Sequence, residues 1–159
     1  MNKILVADYN NKKHAKDIID LLNQYARHPM GGGSELIQST KDNLVTKLKN
    51  FPGAFSILVY NRGQAIGLAN CFMGFSTFQS KPLINIHDIY VLDSYQGKNI
   101  GQEILQEVQN IAIEKQCCKI TLEVLEGNLF AQKAYQSFGF ISYELKPEFG
   151  KAIFLEKKL

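Results

Sequence analysis

Apolar residues recur along this chain in two periods that alternate. From Asn11 to Ala26 they fall at Ile18, Ile19, Leu21, Leu22 and Tyr25, the spacing of one face of a helix. Lys3 to Ala7 ahead of it reads as a strand, and Pro29 with Gly31, Gly32 and Gly33 ends the helix. A second helix is predicted from Ser39 or Thr40 to just before Phe51, with Leu44, Val45 and Leu48 on one face. Two strand-like runs, Phe55 to Tyr60 and Ala65 to Phe72, are joined through Asn61, Arg62 and Gly63, the pattern of a hairpin. Pro82 opens another strand that runs to Val91. A helix to about Gln116 follows, then a β-branched strand from Lys119 to Leu125, a helix from about Asn128 to Phe138, and strands near Phe140 to Leu145 and Ala152 to Glu156. This order predicts one α/β domain over residues 1–159, with mixed strand directions.

Composition narrows the picture. A chain of 159 residues, 45% hydrophobic, suffices for one substantial core and is short for two. There is no repeat, low-complexity segment or linker. The net charge of +3 comes from interspersed Lys and Glu rather than a basic block, so charge gives no argument for nucleic acid, while it suits a phosphorylated small ligand. Cys71 and the adjacent pair Cys117 and Cys118 fit neither an unstrained disulfide nor a zinc-ligand spacing, which favours buried, reduced thiols and no metal. The opening MNKILVADYN has no signal-like apolar region, and no stretch has the length of a membrane span, so a cytoplasmic protein without a membrane partner is expected.

The stretch VLDSYQGKNIGQEIL, Val91 to Leu105, passes from strand to helix through two glycines and a lysine. Such a corner points the free N–H groups and the positive dipole end of the helix at whatever lies above it, and phosphate fits best. Gly97 and Gly101 admit close approach, Lys98 adds a cation, and Gln96 and Asn99 add donors or caps. The plain alternative is a strand-to-helix turn punctuated by glycine. A dinucleotide fingerprint is absent, and Lys98 is followed by Asn99 rather than by the Ser or Thr of a Walker loop.

Gln96-Gly97-Lys98-Asn99-Ile100-Gly101 resembles the Q/R-x-x-G-x-G/A pyrophosphate loop of the GNAT superfamily of N-acetyltransferases, with Asn99 where a glycine is usual. After glycine, Asn is the residue most tolerant of a left-handed backbone. Asn128 to Phe140 resembles the family's second signature, N-x-x-A-x-x-x-Y-x-x-x-G-F, in the right order. The likeness covers about Gln64 to Phe140, and GFSTFQSKPLINIHDIYV resembles the branch holding diamine, polyamine and thialysine acetyltransferases. The resemblance implies a central, mostly antiparallel sheet with helices on both faces and a V-shaped opening between the two central strands. It also implies acetyl-CoA as cosubstrate, a small primary amine as acceptor, and a possible homodimer.

Acetyl transfer to an amine needs a neutral amine, stabilisation of an oxyanion, and a proton for the departing thiolate. By resemblance, Tyr135 is the general acid and the backbone of Val91 the oxyanion donor, with Tyr90, Ile100 and the rest of the Gln96 to Gly101 loop on the cofactor. Asn128 bonds the pantetheine chain or caps its helix. Lys133 reaches a CoA phosphate or occupies a solvated face. The branch pattern has a carboxylate where this chain has His87, and a neutral imidazole is a competent base or water relay. Asp88 holds the amine or braces a loop. Alternation puts His87 and Asp88 on opposite faces unless a bulge intervenes. Two other functions stay open: acetylation of a peptide or protein amine, and a non-catalytic CoA-binding module.

Overall fold

The computed structural model describes residues 1–159. Strand β1 (Lys3–Val6) is followed by helices α1 (Lys12–Arg27) and α2 (Gln38–Asn50), then by β2 (Ala54–Asn61), β3 (Gln64–Ser76) and β4 (Lys81–Val91). Helix α3 (Ile100–Glu114), strand β5 (Ile120–Leu122) and helix α4 (Leu129–Phe138) complete the regular elements. The five strands lie side by side in chain order, antiparallel throughout except for the parallel β4–β5 pair. This is the mixed sheet that the order of elements predicts, and the mostly antiparallel one that the resemblance implies.

Both faces of the sheet are covered. Helices α1 and α2 lie on one and α3 on the other, which is why Ile57, Leu58 and Val59 of β2 are consecutive and all fully buried. Helix α1 begins where the Asn11 side chain accepts from the amides of Lys13 and His14 and buries Ile18 and Leu21. The Tyr60 hydroxyl donates to Asp17 at 2.6 Å and ties α1 to β2. Helix α3 turns Ile100, Ile104, Leu105, Val108, Ile111 and Ala112 into the core, a helical stripe. The Gln102 amide donates to the Ala134 carbonyl at 2.9 Å and holds α4 along α3. No helix is long and apolar enough to cross a membrane.

Three expectations need correction. Strand β5 covers Ile120–Leu122 rather than Lys119 to Leu125, because it pairs only with Ile84 to Ile86 before the two strands part. The strands expected at Phe140 to Leu145 and Ala152 to Glu156 do not form; a single bridge, Glu144 to Lys151, spans the turn at Pro147–Phe149. Ile141, Leu145, Ile153 and Leu155 stay largely exposed. Alternation makes a segment strand-competent, but a strand needs an edge to pair with, and three residues of β5 offer little. Of the three cysteines, all free, only Cys71 is buried.

Candidate functional site

The site begins where β4 leaves β5. Ile84, Asn85 and Ile86 pair with Ile120, Thr121 and Leu122, and beyond them nothing on the β5 side pairs with β4. The divergence coincides with a bulge. Cys71 faces Ile86, but the next residue back on β3, Asn70, faces Asp88, so His87 is the extra residue. The bulge reverses the parity of β4. Ile84 donates its amide to Lys119 on the β5 side, whereas Leu92 donates to Ile66 on the β3 side at 3.0 Å. Successive amides alternate, so the N–H of Val91 points away from β3, into the opening. This is the splay that the resemblance implies.

The bulge also settles the question of His87 and Asp88. Asp88 accepts from Asn70 at 2.9 Å on the α1 face, and the His87 ring meets Phe72 edge-on at 5.6 Å, two residues along β3 from Asn70. Both side chains therefore belong to one wall. His87 is exposed, in contact with an aromatic side chain rather than held by a hydrogen bond.

At the far end of the opening, the corner of Gln96 to Gly101 takes the form its glycines suggest. Asn99 sits left-handed at φ 63°, ψ 8°, and Gly97 at φ 71°. Asn99 thus adopts the backbone that a glycine would supply. The first bond of α3 runs from Glu103 to the Asn99 carbonyl at 3.0 Å, and the amides from Gly97 to Gln102 donate to nothing within the chain. A side chain at Gly97 or Gly101 would meet no atom within 4 Å, so the space over this nest is open. These features fit a phosphate-bearing ligand.

Not every expected side chain is free for such a ligand. The Gln96 amide donates to the Val91 carbonyl at 3.2 Å and to Asp93 at 3.1 Å, which shapes the loop. The Lys98 ammonium rests on the Ser94 carbonyl at 2.9 Å and lies 4.9 Å from the centre of the Tyr95 ring. Ile100 is buried, as is Tyr90, whose ring stacks on Tyr25 at 5.6 Å. Asn128 caps α4 by accepting from the Ala131 amide at 3.1 Å, and Lys133 is exposed without an ion-pair partner.

Tyr135 projects from α4 into the half-buried space beside Tyr25 and packs against Phe140 at 5.9 Å. Burial, and secondarily the negative charge that Tyr25 would carry if ionised, push its phenol up to about 12. It therefore keeps its proton at neutral pH, as a proton donor must. Tyr25, near the end of α1, is the residue that sequence reasoning missed. It stacks on Tyr90 and neighbours both Asp88 and Tyr135, with its hydroxyl raised by burial first and the Asp88 charge second. Its helical spacing marks it only as a core position. The one local hint is Gly31, where a Cβ would lie 2.0 Å from the Tyr25 carbonyl oxygen and 2.9 Å from its ring.

A sheet opened by a bulge, an amide aimed into the opening and a nest of free amides at its end are the features that the sequence resemblance implies. The family model described as Acetyltransferase (GNAT) family matches residues 16–140. The chain belongs to the GNAT acetyltransferase family. It is 32% identical over 74 residues to the thialysine N-epsilon-acetyltransferase of Bos taurus, covering 46% of this chain and 43% of that protein. It is 28% identical over 85 residues to the spermine/spermidine N(1)-acetyltransferase of Bacillus subtilis (strain 168), covering 52% and 56%. The chain spans about half the length of the curated relatives it matches. Among solved structures, AAC(6')-Iy in complex with the bisubstrate analogue CoA-S-monomethyl-acetylneamine superposes with a TM-score of 0.78 at 20% identity, over 100% of this chain and 99% of that one. That likeness is one of fold.

Proposed function

We propose that the chain is an acetyl-CoA-dependent N-acetyltransferase whose acceptor is a primary amine on a small molecule. The observation that carries this reading is the convergence, around one opening, of the Val91 amide, the free amides from Gly97 to Gln102, the protonated phenol of Tyr135 and the wall of His87 and Asp88. Acetyl-CoA, when bound, supplies an activated acetyl thioester. The amides of the corner, with Lys98 once it leaves the Ser94 carbonyl, would hold its phosphates, and the Val91 amide would hydrogen bond the acetyl oxygen and steady the charge that develops there. Tyr135 holds the proton that the departing sulfur requires. His87 accepts the proton of the incoming ammonium, directly or through water, and Asp88 binds the ammonium.

The likeness to thialysine and spermine/spermidine acetyltransferases supports a small amine over a protein one. A homodimer belongs to the same reading on resemblance alone, and a cytoplasmic setting is carried over from the sequence reading. The test is release of free thiol from acetyl-CoA over a panel of diamines, amino acids, aminoglycosides and peptides. Turnover with a small amine is expected. Turnover confined to peptides would move the acceptor class, and tight acetyl-CoA binding without turnover on any amine would leave a CoA-binding module.

A further inference from the structure

Across the middle of the sheet runs a chain of polar side chains, buried at its centre, that leads to Asp88 and that the chemistry above does not otherwise use. Tyr9, in the connection from β1 to α1, lies 2.9 Å from the Ser56 hydroxyl of β2; Ser56 donates to the Asn70 carbonyl oxygen of β3 at 2.7 Å; Asn70 donates to Asp88 of β4 at 2.9 Å. Ser56, Asn70 and Asp88 are direct cross-strand partners, and they meet because the bulge sets Asp88 rather than His87 opposite Asn70. Ser56 is fully buried and Asn70 is 3% exposed. Burying polar groups in the core costs free energy that apolar residues of the same size would avoid. A chain of this kind is therefore expected to do something besides fill space.

Its direction is fixed by proton counting. The Asn70 carbonyl can only accept, so Ser56 spends its single proton there, and the Tyr9 hydroxyl must donate to Ser56. Turning the Asn70 amide over would set its carbonyl against the carboxylate of Asp88, acceptor against acceptor. Every proton thus points toward Asp88, and donors aligned this way polarise one another and favour an anion at the end. No Lys, Arg or His lies within ion-pair distance of that carboxylate. The groups around it are Tyr25 from α1, Cys71 from β3, His87 and Tyr90 from β4, and Tyr135 of α4 beyond Tyr25, of which His87 alone can carry positive charge.

We propose that Tyr9, Ser56 and Asn70 are positioning residues that hold one oxygen of Asp88 and leave the other for the ammonium of the acceptor; the acceptor role rests on the function proposed above. The chain reaches the substrate only through Asp88, so its loss should alter amine recognition and spare the cofactor.

The test takes Asn70→Leu and Tyr9→Phe and reads two quantities. The first is the affinity for the best amine of the panel in the presence of CoA, read by calorimetry, which needs no turnover; losing the Asn70 donor should weaken it about tenfold and Tyr9→Phe about twofold. The second is the pair of KM values with the best amine of the panel: Asn70→Leu should raise that of the amine about tenfold and Tyr9→Phe about twofold, with that of acetyl-CoA unchanged. If Asn70→Leu does not fold, Tyr9→Phe, which keeps the ring and removes only the terminal donor, decides the matter. Unchanged amine affinity in a folded variant, or KM values rising equally for both substrates, overturns the proposal. Absence of both turnover and amine binding in the wild-type protein would sink the function proposed above and the acceptor role with it, whereas amine binding that Asn70→Leu and Tyr9→Phe leave unchanged overturns the role of the chain alone.

Discussion

Replacing Gly101 by Val separates what the fold needs from what the ligand needs. At Gly101 the backbone is not left-handed and a Cβ meets nothing within 4 Å, so the protein itself has no use for a glycine there. In a helix, glycine is the less favourable residue by up to about 1 kcal/mol against alanine, and valine recovers part of that. The free variant should therefore melt at the wild-type temperature or slightly above it. The added methyls enter the space over the amide nest that a pyrophosphate would occupy. Acetyl-CoA at one hundred times its Kd stabilises a folded protein by about 2.7 kcal/mol. At roughly 2–4 °C per kcal/mol for a domain of this size, the wild-type Tm should rise by about 5–11 °C. Gly101→Val should show no such rise. Gly97→Val is the contrast, because φ at Gly97 is 71° and a side chain there costs about 1–2 kcal/mol of backbone strain, so that variant loses Tm even without ligand. Differential scanning fluorimetry with and without acetyl-CoA reads all three proteins. A full ligand-induced rise in Gly101→Val would refute the assignment of the corner as the phosphate site.

Further outcomes follow from the other residues of the site. Tyr135→Phe should leave acetyl-CoA affinity intact by calorimetry and lower kcat by about tenfold to a thousandfold, the range of general acid catalysis; wild-type turnover would leave the phenol a packing role only. With its phenol at about 12, Tyr135 stays protonated and should impose no alkaline fall in rate up to about pH 10, so a limb that vanished in the Phe variant would contradict the pKa. His87→Gln should lower kcat/KM for the amine at neutral pH by about tenfold or more while leaving acetyl-CoA affinity intact; wild-type kcat/KM would defeat the base assignment. Gly31→Ala cannot be accommodated with its Cβ 2.0 Å from a backbone oxygen, so the loop must move off Tyr25, and KM for the amine should rise more than KM for acetyl-CoA. Equal changes in both would assign Gly31 to stability alone.

The elements that carry the site were legible because their signals are local. Apolar spacing marks the faces of α1, α2 and α3, the Asn61-Arg62-Gly63 turn marks a hairpin, and the glycines around Asn99 announce a strand-to-helix corner. Asn99 stands where the resemblance calls for a glycine, and its tolerance of a left-handed backbone made that conformation legible. The same local logic failed from Phe140 to Glu156, where alternation encodes a strand but the sheet offers no edge of matching length. Tertiary structure alone decided the rest. One extra residue at His87 brings two neighbouring side chains onto one wall, turns the Val91 amide into the opening and sets Asp88 opposite Asn70. No property of His87 or Asp88 reports that bulge, because it is a mismatch of register between two strands. Tyr25 and the chain of Tyr9, Ser56 and Asn70 are hidden for the same reason: their partners lie on other elements, 14 to 47 residues away for the hydrogen-bonded pairs of the chain, and pairwise geometry of that kind is written in the packing of the sheet.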